Sequence, residues 1–405
     1  MITRNIIVVF LLSFLANLGY GVMIPSLALY ASSLGASRSF IGIIVSTFAA
    51  AQLVTQIPVG RLADRVGRKY LIVAGFAGVA IASALYNFAG HFSQFLVLQG
   101  LAGLSMGFVW PPLMALLTDE VAPSERGKLM GIYNTIFFIG IGTGPMFGGM
   151  IATAYGYRPV FNVWAALELI AALIAWAALK DRVRQPVART AGSVRVRNRG
   201  VSLLKPGFWL TFVAGCAIRT RGGFCTSFNN SLLPLYAVML FDASPRMIGN
   251  LMLTHGLGLA FFNLPGGLLS DRFGRRLPSL LGSLIATVGV FGYSLAGSFW
   301  PLLLAVGLAG AGAALASPAV AALTADVCTP ERRGEAFGYF LTSHHIGMVF
   351  GALIFGFVSD WVGLPGAVLA WGITSFLVST TSWFIREDSA LQTAQPVFSG
   401  SSGNR

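Results

Sequence analysis

Two arginines inside an apolar stretch are the most unusual chemical groups in the sequence. Arg219 and Arg221 lie within the apolar run 208–239, and a charge at mid-bilayer costs about 3 kcal/mol or more, so each is a candidate for function. Two residues turn about 200° around a helix, which places the two side chains on nearly opposite faces. Arg219 would share its face with Asn230. We expect Arg219 to face a cavity, where it can bind an anion, although an ion pair between helices would explain either arginine equally well.

Other ionisable side chains also fall within apolar runs, namely Glu168, His255, His344 and His345. A carboxyl or an imidazole in such a place can exchange a proton near physiological pH, so these residues are candidates for proton coupling. A packed side chain with one satisfied hydrogen bond is the alternative for each. The three cysteines and four histidines show no ligand spacing, and we expect neither a metal nor a cofactor.

Uncharged side chains could line the same cavity. Asn17 is the strongly polar residue deep in the first apolar run, while Trp110 and Phe137 offer aromatic surface. No nucleophile–base pair, metal ligand set or phosphate-binding loop accompanies these residues, so the sequence does not favour an enzyme. We therefore interpret these residues as binding a small molecule without changing it chemically.

The composition shows what must position these groups. Of 405 residues, 55% are hydrophobic and 10% are charged, whereas a soluble domain carries about 25% charged residues. The apolar runs reach the roughly 20 residues that a membrane-spanning helix needs. Helices are the structure that satisfies backbone hydrogen bonds in lipid when the runs are continuous rather than alternating. We therefore predict an all-α integral membrane protein.

Twelve spans can be placed along the chain, with ends uncertain by a few residues. They are 6–30, 40–60, 70–89, 93–117, 129–153, 159–179, 208–239, 247–270, 277–296, 300–324, 336–359 and 364–385.

The basic residues indicate the orientation of these spans. Of the 27 Lys and Arg, all but five fall on one side if the N-terminus is cytoplasmic; the exceptions are Arg38, Arg158, Arg246 and the two intramembrane arginines. Such asymmetry is the positive-inside rule. The net charge of +13 therefore indicates topology rather than nucleic-acid binding. We expect a multi-pass protein of the plasma or inner membrane, in contact with lipid and with both termini in the cytoplasm.

The sequence repeats itself after 207 residues. Gly60, Asp64, Gly67 and Arg68 recur as Gly267, Asp271, Gly274 and Arg275, and Asp119 recurs as Asp326. Hydrophobicity alone would not keep Asp, Arg and Gly in register, so we predict two related six-helix bundles. The expected units are 1–180 for the first bundle, 181–206 for a basic cytoplasmic linker, 207–386 for the second bundle and 387–405 for a disordered tail.

The repeated motif has a clear physical use. Two spans joined by so few residues need glycine for the turn. An aspartate at a membrane-edge turn requires an arginine partner or a helix N-terminus. Such a contact can form when one mouth of a cavity closes and break when the mouth opens.

This doubled motif resembles the signature of the major facilitator superfamily, as do the span count and the long central linker. The resemblance covers residues 5–386 and implies two pseudo-symmetric bundles around a central cavity that opens alternately to either side. It implies that the repeated Gly, Asp and Arg residues form a cytoplasmic gate and do not bind substrate.

The fifth span adds a second resemblance, through Gly131, Gly140, Gly144, Pro145, Gly148 and Gly149. A spacing of four places three of these glycines on one face, where another helix can approach closely. The pattern is similar to the antiporter signature of the superfamily. It implies proton-coupled efflux of small hydrophobic or amphipathic compounds, including drugs, by a monomer. Two departures stand against it: Leu96 replaces an expected arginine, and the first span has no acidic residue. The alternative is a uniporter or symporter of a specific organic anion or metabolite recognised by Arg219.

Overall fold

The computed structural model describes residues 3–120, 126–180, 202–329 and 332–387. Within these ranges, helices and short connections form the whole structure, apart from one backbone bridge between Leu204 and Cys328. The thirteen α-helices described are α1 (Arg4–Ser33), α2 (Arg38–Val66), α3 (Arg68–Ala84), α4 (Gln94–Gly107), α5 (Trp110–Asp119), α6 (Arg126–Tyr155), α7 (Tyr157–Ala178), α8 (Trp209–Ser231), α9 (Leu233–Phe241), α10 (Pro245–Phe273), α11 (Arg276–Leu295), α12 (Phe299–Val327) and α13 (Arg333–Thr380). The predicted all-α class is confirmed.

These helices form twelve spans in the described part of the chain. The fourth span consists of α4 and α5, and the seventh consists of α8 and α9, which meet at a bend of 48°. Helix α13 has 48 residues, which corresponds to roughly 72 Å, more than twice the thickness of the hydrocarbon core. It is broken at Gly363, where φ is 77°, and therefore supplies the last two spans.

Glycines with positive φ make the two repeated turns possible. Gly67 has φ 95° between α2 and α3, and Gly274 has φ 83° between α10 and α11. A side chain in this conformation would be strained, whereas glycine adopts it freely. The second glycine of each motif therefore ends one span, and the next span begins after one residue in the first turn and after two residues in the second.

Each half of the chain packs its large side chains inward. Trp164, Phe76 and Tyr86 are fully buried in the first bundle (α1–α7), and Trp371 and Tyr293 are fully buried in the second (α8–α13). Many other large apolar side chains are exposed, with examples at Val54, Phe261, Leu264, Leu304 and Trp361. Such a surface suits contact with lipid rather than water.

The two bundles meet along two helix pairs. Helix α2 packs on α13, and α6 packs on α10. We call the end of the molecule that carries the two repeated turns the loop end, and the opposite end the far end. The substrate path predicted from the sequence would run between these pairs, because they are where the halves can separate.

The far end is closed in this structure. Arg38 donates to the carbonyl oxygen of Ser359 at 3.0 Å, and the backbone N–H of Ser39 donates to Asp360 at 3.0 Å. On the other helix pair, the backbone N–H of Arg246 donates to the Thr153 hydroxyl at 3.0 Å. Each of these hydrogen bonds joins one bundle to the other.

The loop end is open by comparison. A Cβ added at Gly60 or Gly131 of the first bundle, or at Gly334 or Gly338 of the second, would meet no described atom within 4 Å. These glycines lie on α2, α6 and α13, the same helices that form the closed contacts at the far end. The structure therefore shows the state in which the space between the bundles opens toward the loop end.

The predicted linker and tail fall largely outside the described residues, at 181–201 and 388–405. Where the structure does describe the linker, it differs from the expected solvated segment. Leu204 bridges Cys328, and the backbone N–H of Lys205 donates to the Val327 carbonyl at 2.9 Å. Apolar burial explains the difference, because Leu204 is 7% exposed within the second bundle.

Candidate functional site

The first repeated turn carries an ion pair that joins two spans. The Arg68 guanidinium lies 2.8 Å from the Asp119 carboxylate. Arg68 begins α3 and Asp119 ends α5, so the contact holds the third and fourth spans together at the loop end. The backbone of Asp64 lies on α2, one turn before Arg68; its side chain lies outside the described residues.

The second repeated turn shows the equivalent pair and one more contact. Arg275 donates to Asp326 at 3.2 Å and to Asp271 at 2.7 Å. Partial burial lowers the pKa of Arg275, but the hydrogen bonds to Asp271 and Asp326 outweigh it, and the net effect raises the pKa. The guanidinium therefore stays charged at any physiological pH.

Sequence reasoning named Arg68 and Arg275 as gate residues but not their partners, Asp119 and Asp326. The signal was available, because both aspartates keep the same 207-residue offset as the arginines. The structure places each aspartate at the loop end of its span, within ion-pair distance of its arginine. In the second bundle these contacts link three spans, because Arg275 at the start of α11 pairs with Asp271 of α10 and Asp326 of α12.

The six-residue glycine pattern of α6 allows close packing on two sides. A Cβ at Gly144 would lie 2.6 Å from the carbonyl oxygen of Leu18, and a Cβ at Gly148 would overlap the carbonyl of Val22. Both contacts are with α1 of the same bundle. On its other side, Gly149 lies against Pro245, so a Cβ there would overlap a carbonyl of the second bundle.

A polar contact joins the bundles near the middle of the molecule. The Asn230 amide of α8 donates to the Tyr20 hydroxyl of α1 at 3.3 Å, and the Tyr20 ring stacks on Phe48 with centroids 5.1 Å apart. Gln99 lies beside them in a small cavity otherwise lined by apolar side chains of α1 and α2. Its Oε1 is buried without a hydrogen-bond partner, so this cavity presents an unused acceptor.

Arg219 lies in a second polar group, between α8 and α13. Its guanidinium lies over the Phe340 ring at 5.5 Å, and it interacts electrostatically with the His344 and His345 imidazoles. His345 in turn lies 3.3 Å from the Gln56 amide of the first bundle. The structure thus brings Arg219 and His344 together at a junction of both bundles.

Arg221 has a different environment. It is 3% exposed and donates to the Ser375 hydroxyl at 3.2 Å. Ser375 belongs to a hydroxyl network with Thr287 and Ser379 inside the second bundle. Helix α8 runs unbroken through Gly222 and Gly223, so the two arginines do point in different directions.

The remaining candidates lie elsewhere. Glu168 is fully buried in the first bundle and accepts a hydrogen bond from Trp164 at 3.0 Å. Asn17 donates to the Ser13 carbonyl of its own helix at 2.7 Å. His255 lies 3.3 Å from the Val306 carbonyl. None of these three is in the Arg219 group.

The aromatic candidates form a cluster of their own. Trp110 of α5 and Phe137 of α6 have ring centroids 6.0 Å apart, and Phe138 meets Phe137 edge to face at 5.5 Å. All three rings are partly exposed. The three rings therefore present apolar surface on the glycine-rich helix α6 and on the neighbouring α5, rather than filling a closed core.

Comparison with known proteins agrees with this geometry. The model of the Major Facilitator Superfamily matches residues 9–242 and again 222–400. This chain belongs to the major facilitator superfamily. Its members are membrane transporters of small molecules, so the space between the bundles is the candidate substrate path of this facilitator.

Relatives in sequence span nearly the whole facilitator. An uncharacterized MFS-type transporter, MJ1560, of Methanocaldococcus jannaschii is 29% identical over 94% of this chain and 97% of its own length. The multidrug resistance protein MdtG of Salmonella arizonae is 28% identical, covering 89% of this chain and 90% of its own. MdtG of Escherichia fergusonii is 27% identical over 94% of both chains.

Solved structures share the fold of this facilitator at lower identity. A bacterial homologue of the human lysosomal transporter Spinster, described as inward-facing and occupied, has a TM-score of 0.79 and 16% identity over 94% of this chain and 96% of its own. The nucleoside transporter NupG, as a mutant, has a TM-score of 0.72 and 13% identity over 95% and 100%. Both share the helical membrane fold of this chain over nearly their whole length.

Proposed function

We propose that this facilitator is a proton-driven exporter of small hydrophobic or amphipathic compounds. The observation that carries the proposal is the α6 glycine pattern, which packs α6 against α1 and α10 at the closed far end. Backbone contact of this kind seals the far end while the loop end is open. A seal is what an antiporter needs, since a leak would dissipate the gradient that drives it.

The relatives support the substrate class. Several are multidrug resistance proteins that align with about nine-tenths of this chain. The partly exposed rings of Trp110, Phe137 and Phe138 suit flat apolar molecules, because aromatic faces bind them without fixed hydrogen-bond geometry. Poorly directional contacts of this kind accept many compounds.

The geometry of the two ends supports transport by alternating access. The far end is held by cross-bundle hydrogen bonds such as Ser46 to the Val349 carbonyl at 2.7 Å. The loop end has intrabundle ion pairs, Arg68–Asp119 and Arg275–Asp326, which keep each bundle rigid as it rocks. With both termini in the cytoplasm, this structure is the inward-open state, ready to accept substrate from the cytoplasm or the inner leaflet.

Proton coupling in this proposal uses an ionisable group within the spans. Glu168, His255, His344 and His345 are the groups of this kind, and only the last two lie at the bundle junction. Leu96 occupies the position where the antiporter pattern has an arginine, so coupling through the fourth span is not expected here. The junction histidines are the better candidates.

Transport into inverted membrane vesicles tests the proposal. Vesicles acidified inside are expected to accumulate a fluorescent amphipathic dye, because the vesicle interior corresponds to the outer side of the cell membrane. Collapse of the gradient with a protonophore should abolish accumulation, and vesicles from cells that lack the protein give the background. Accumulation that ignores the pH gradient would reject proton coupling while leaving transport intact.

A further inference from the structure

The charge of Arg219 has no counter-ion among the residues that the structure describes. Its Nε is buried without a hydrogen-bond partner. An unpaired cation inside a membrane protein is costly. Such an arrangement persists where a ligand supplies the missing charge.

The acidic residues on the surrounding helices are already engaged or distant. Helix α8 contains none. On α13, Glu335 forms an ion pair with Arg332 at 2.8 Å and accepts from Tyr339. Asp360 lies at the far end, where it accepts the backbone N–H of Ser39. No acidic group on these two helices is positioned to serve as the counter-ion of Arg219.

A second polar group lies beside the arginine. The His344 Nδ1 is buried without a well-formed hydrogen bond, although the imidazole interacts with the Arg219 backbone. A Cβ added at Gly222 would meet only this imidazole, at 3.7 Å. Arg219 keeps partial exposure, whereas Arg221 is buried and bonded to Ser375. The imidazole therefore lies beside Gly222, and the Arg219 side chain begins about one helical turn away on α8.

We propose that Arg219 and His344 form a binding site for the anionic head group of an amphipathic organic anion, with a carboxylate as the simplest case. The guanidinium donates to the anion and the imidazole Nδ1–H supplies a second hydrogen bond. The Phe340 ring beneath the guanidinium provides apolar surface for the first carbons of the ligand. This inference rests on the proposed export function and narrows its substrates to those that bear a negative group.

Binding of three molecules that share a phenyl group on a short alkyl chain but differ in charge tests the site. The full-length protein in phosphatidylcholine nanodiscs is titrated with 4-phenylbutyrate, its neutral amide and the cation 4-phenylbutylamine. We expect the wild type to bind the carboxylate at least tenfold more tightly than the amide, since hydrogen bonds to charged groups are the stronger kind. Arg219→Gln should remove this preference, and Arg219→Lys should keep part of it.

Matched control variants distinguish a loss of anion binding from a loss of folding. Arg221→Gln changes an arginine two residues away on another face and should keep the preference for the carboxylate. Binding of the neutral amide by Arg219→Gln, at an affinity within about twofold of wild type, shows that the variant is folded. His344→Phe should weaken carboxylate binding less than Arg219→Gln does, because it removes a hydrogen bond but no charge.

The outcomes distinguish this site from the proposed function. A wild type that binds no carboxylate, or binds amide and carboxylate equally, overturns the anion site; proton-driven uptake of a neutral dye would still stand. If the protein prefers the carboxylate but shows no proton-driven uptake, the anion site is supported and the proposal of proton-driven export is rejected. Nanodiscs containing phosphatidylglycerol identify the natural source of the anion: competition that depends on Arg219 indicates a lipid head group, and its absence indicates a soluble anion.

Discussion

The contact between Gly149 of α6 and Pro245 of α10 makes a quantitative prediction about the closed far end. In Gly149→Ala, the new Cβ would overlap the Pro245 carbonyl oxygen and lie 3.0 Å from its carbonyl carbon and 3.1 Å from the Arg246 Cα. All three are backbone atoms, which cannot rotate away. The helices must therefore move apart at the contact between the two bundles.

The size of the effect follows from the cost of overpacking. Extra volume in a packed interface costs about 1–3 kcal/mol. The cost applies to the state with the far end closed and disappears where the bundles separate there. The equilibrium should therefore shift toward the far-end-open state by roughly 5- to 150-fold.

Gly131→Ala is the matched control on the same helix. A Cβ at Gly131 would meet no described atom within 4 Å, so no wedge is introduced. Both substitutions gain the same helix propensity, about 1 kcal/mol for Gly to Ala. The difference between the two variants therefore isolates the contact with Pro245.

Distances between spin labels at Gly90 and Gly297 measure the far end. These residues are exposed, lie in connections of opposite bundles, and have open space around an added Cβ. In a cysteine-free background, Gly149→Ala should increase the population with the longer label separation, and Gly131→Ala should match the unsubstituted protein. Identical distance distributions in the two variants would refute the packing argument.

Five further substitutions test three other contacts. Arg219→Ala should impair transport more than Arg221→Ala at equal expression. Equal effects, or the reverse order, would show that the helical-face argument is wrong. Asp119→Asn and Asp326→Asn should each slow turnover about two- to fivefold with little change in substrate affinity. The effect is small because partly exposed ion pairs contribute about 1 kcal/mol or less. A defect confined to substrate affinity would contradict a gate role. Tyr20→Phe removes the acceptor of the hydrogen bond from Asn230. It should raise the far-end-open population about two- to tenfold in the same spin-label experiment. An unchanged population would mean that this hydrogen bond does not stabilise the contact between the bundles.

Much of the fold could be predicted because the bilayer constrains it. Lipid leaves no alternative partner for a backbone N–H or carbonyl, so apolar runs of sufficient length must form helices. The register of Gly67 with Gly274 and of Asp119 with Asp326 then implied two related halves. The two Arg–Asp pairs were also present in the sequence, as residues repeated at the same offset.

The site was harder to predict, because its members come from different spans. Helical spacing separated Arg219 from Arg221 by face, but it did not show that His344 would lie beside the first or Ser375 beside the second. The Tyr20–Asn230 contact and the Gln56–His345 contact each join the two bundles. No pattern within one helix encodes which helix of the other bundle it will meet.

The sequence by itself determined the helical spans, the internal repeat and the residues able to carry charge within the membrane. Tertiary structure alone decided which charges find partners: Arg68 and Arg275 acquire aspartates, whereas Arg219 acquires an aromatic ring and two imidazoles. The physical reason is that spans are fixed by local hydrogen bonding and hydropathy, while partners are fixed by the packing of helices distant in sequence.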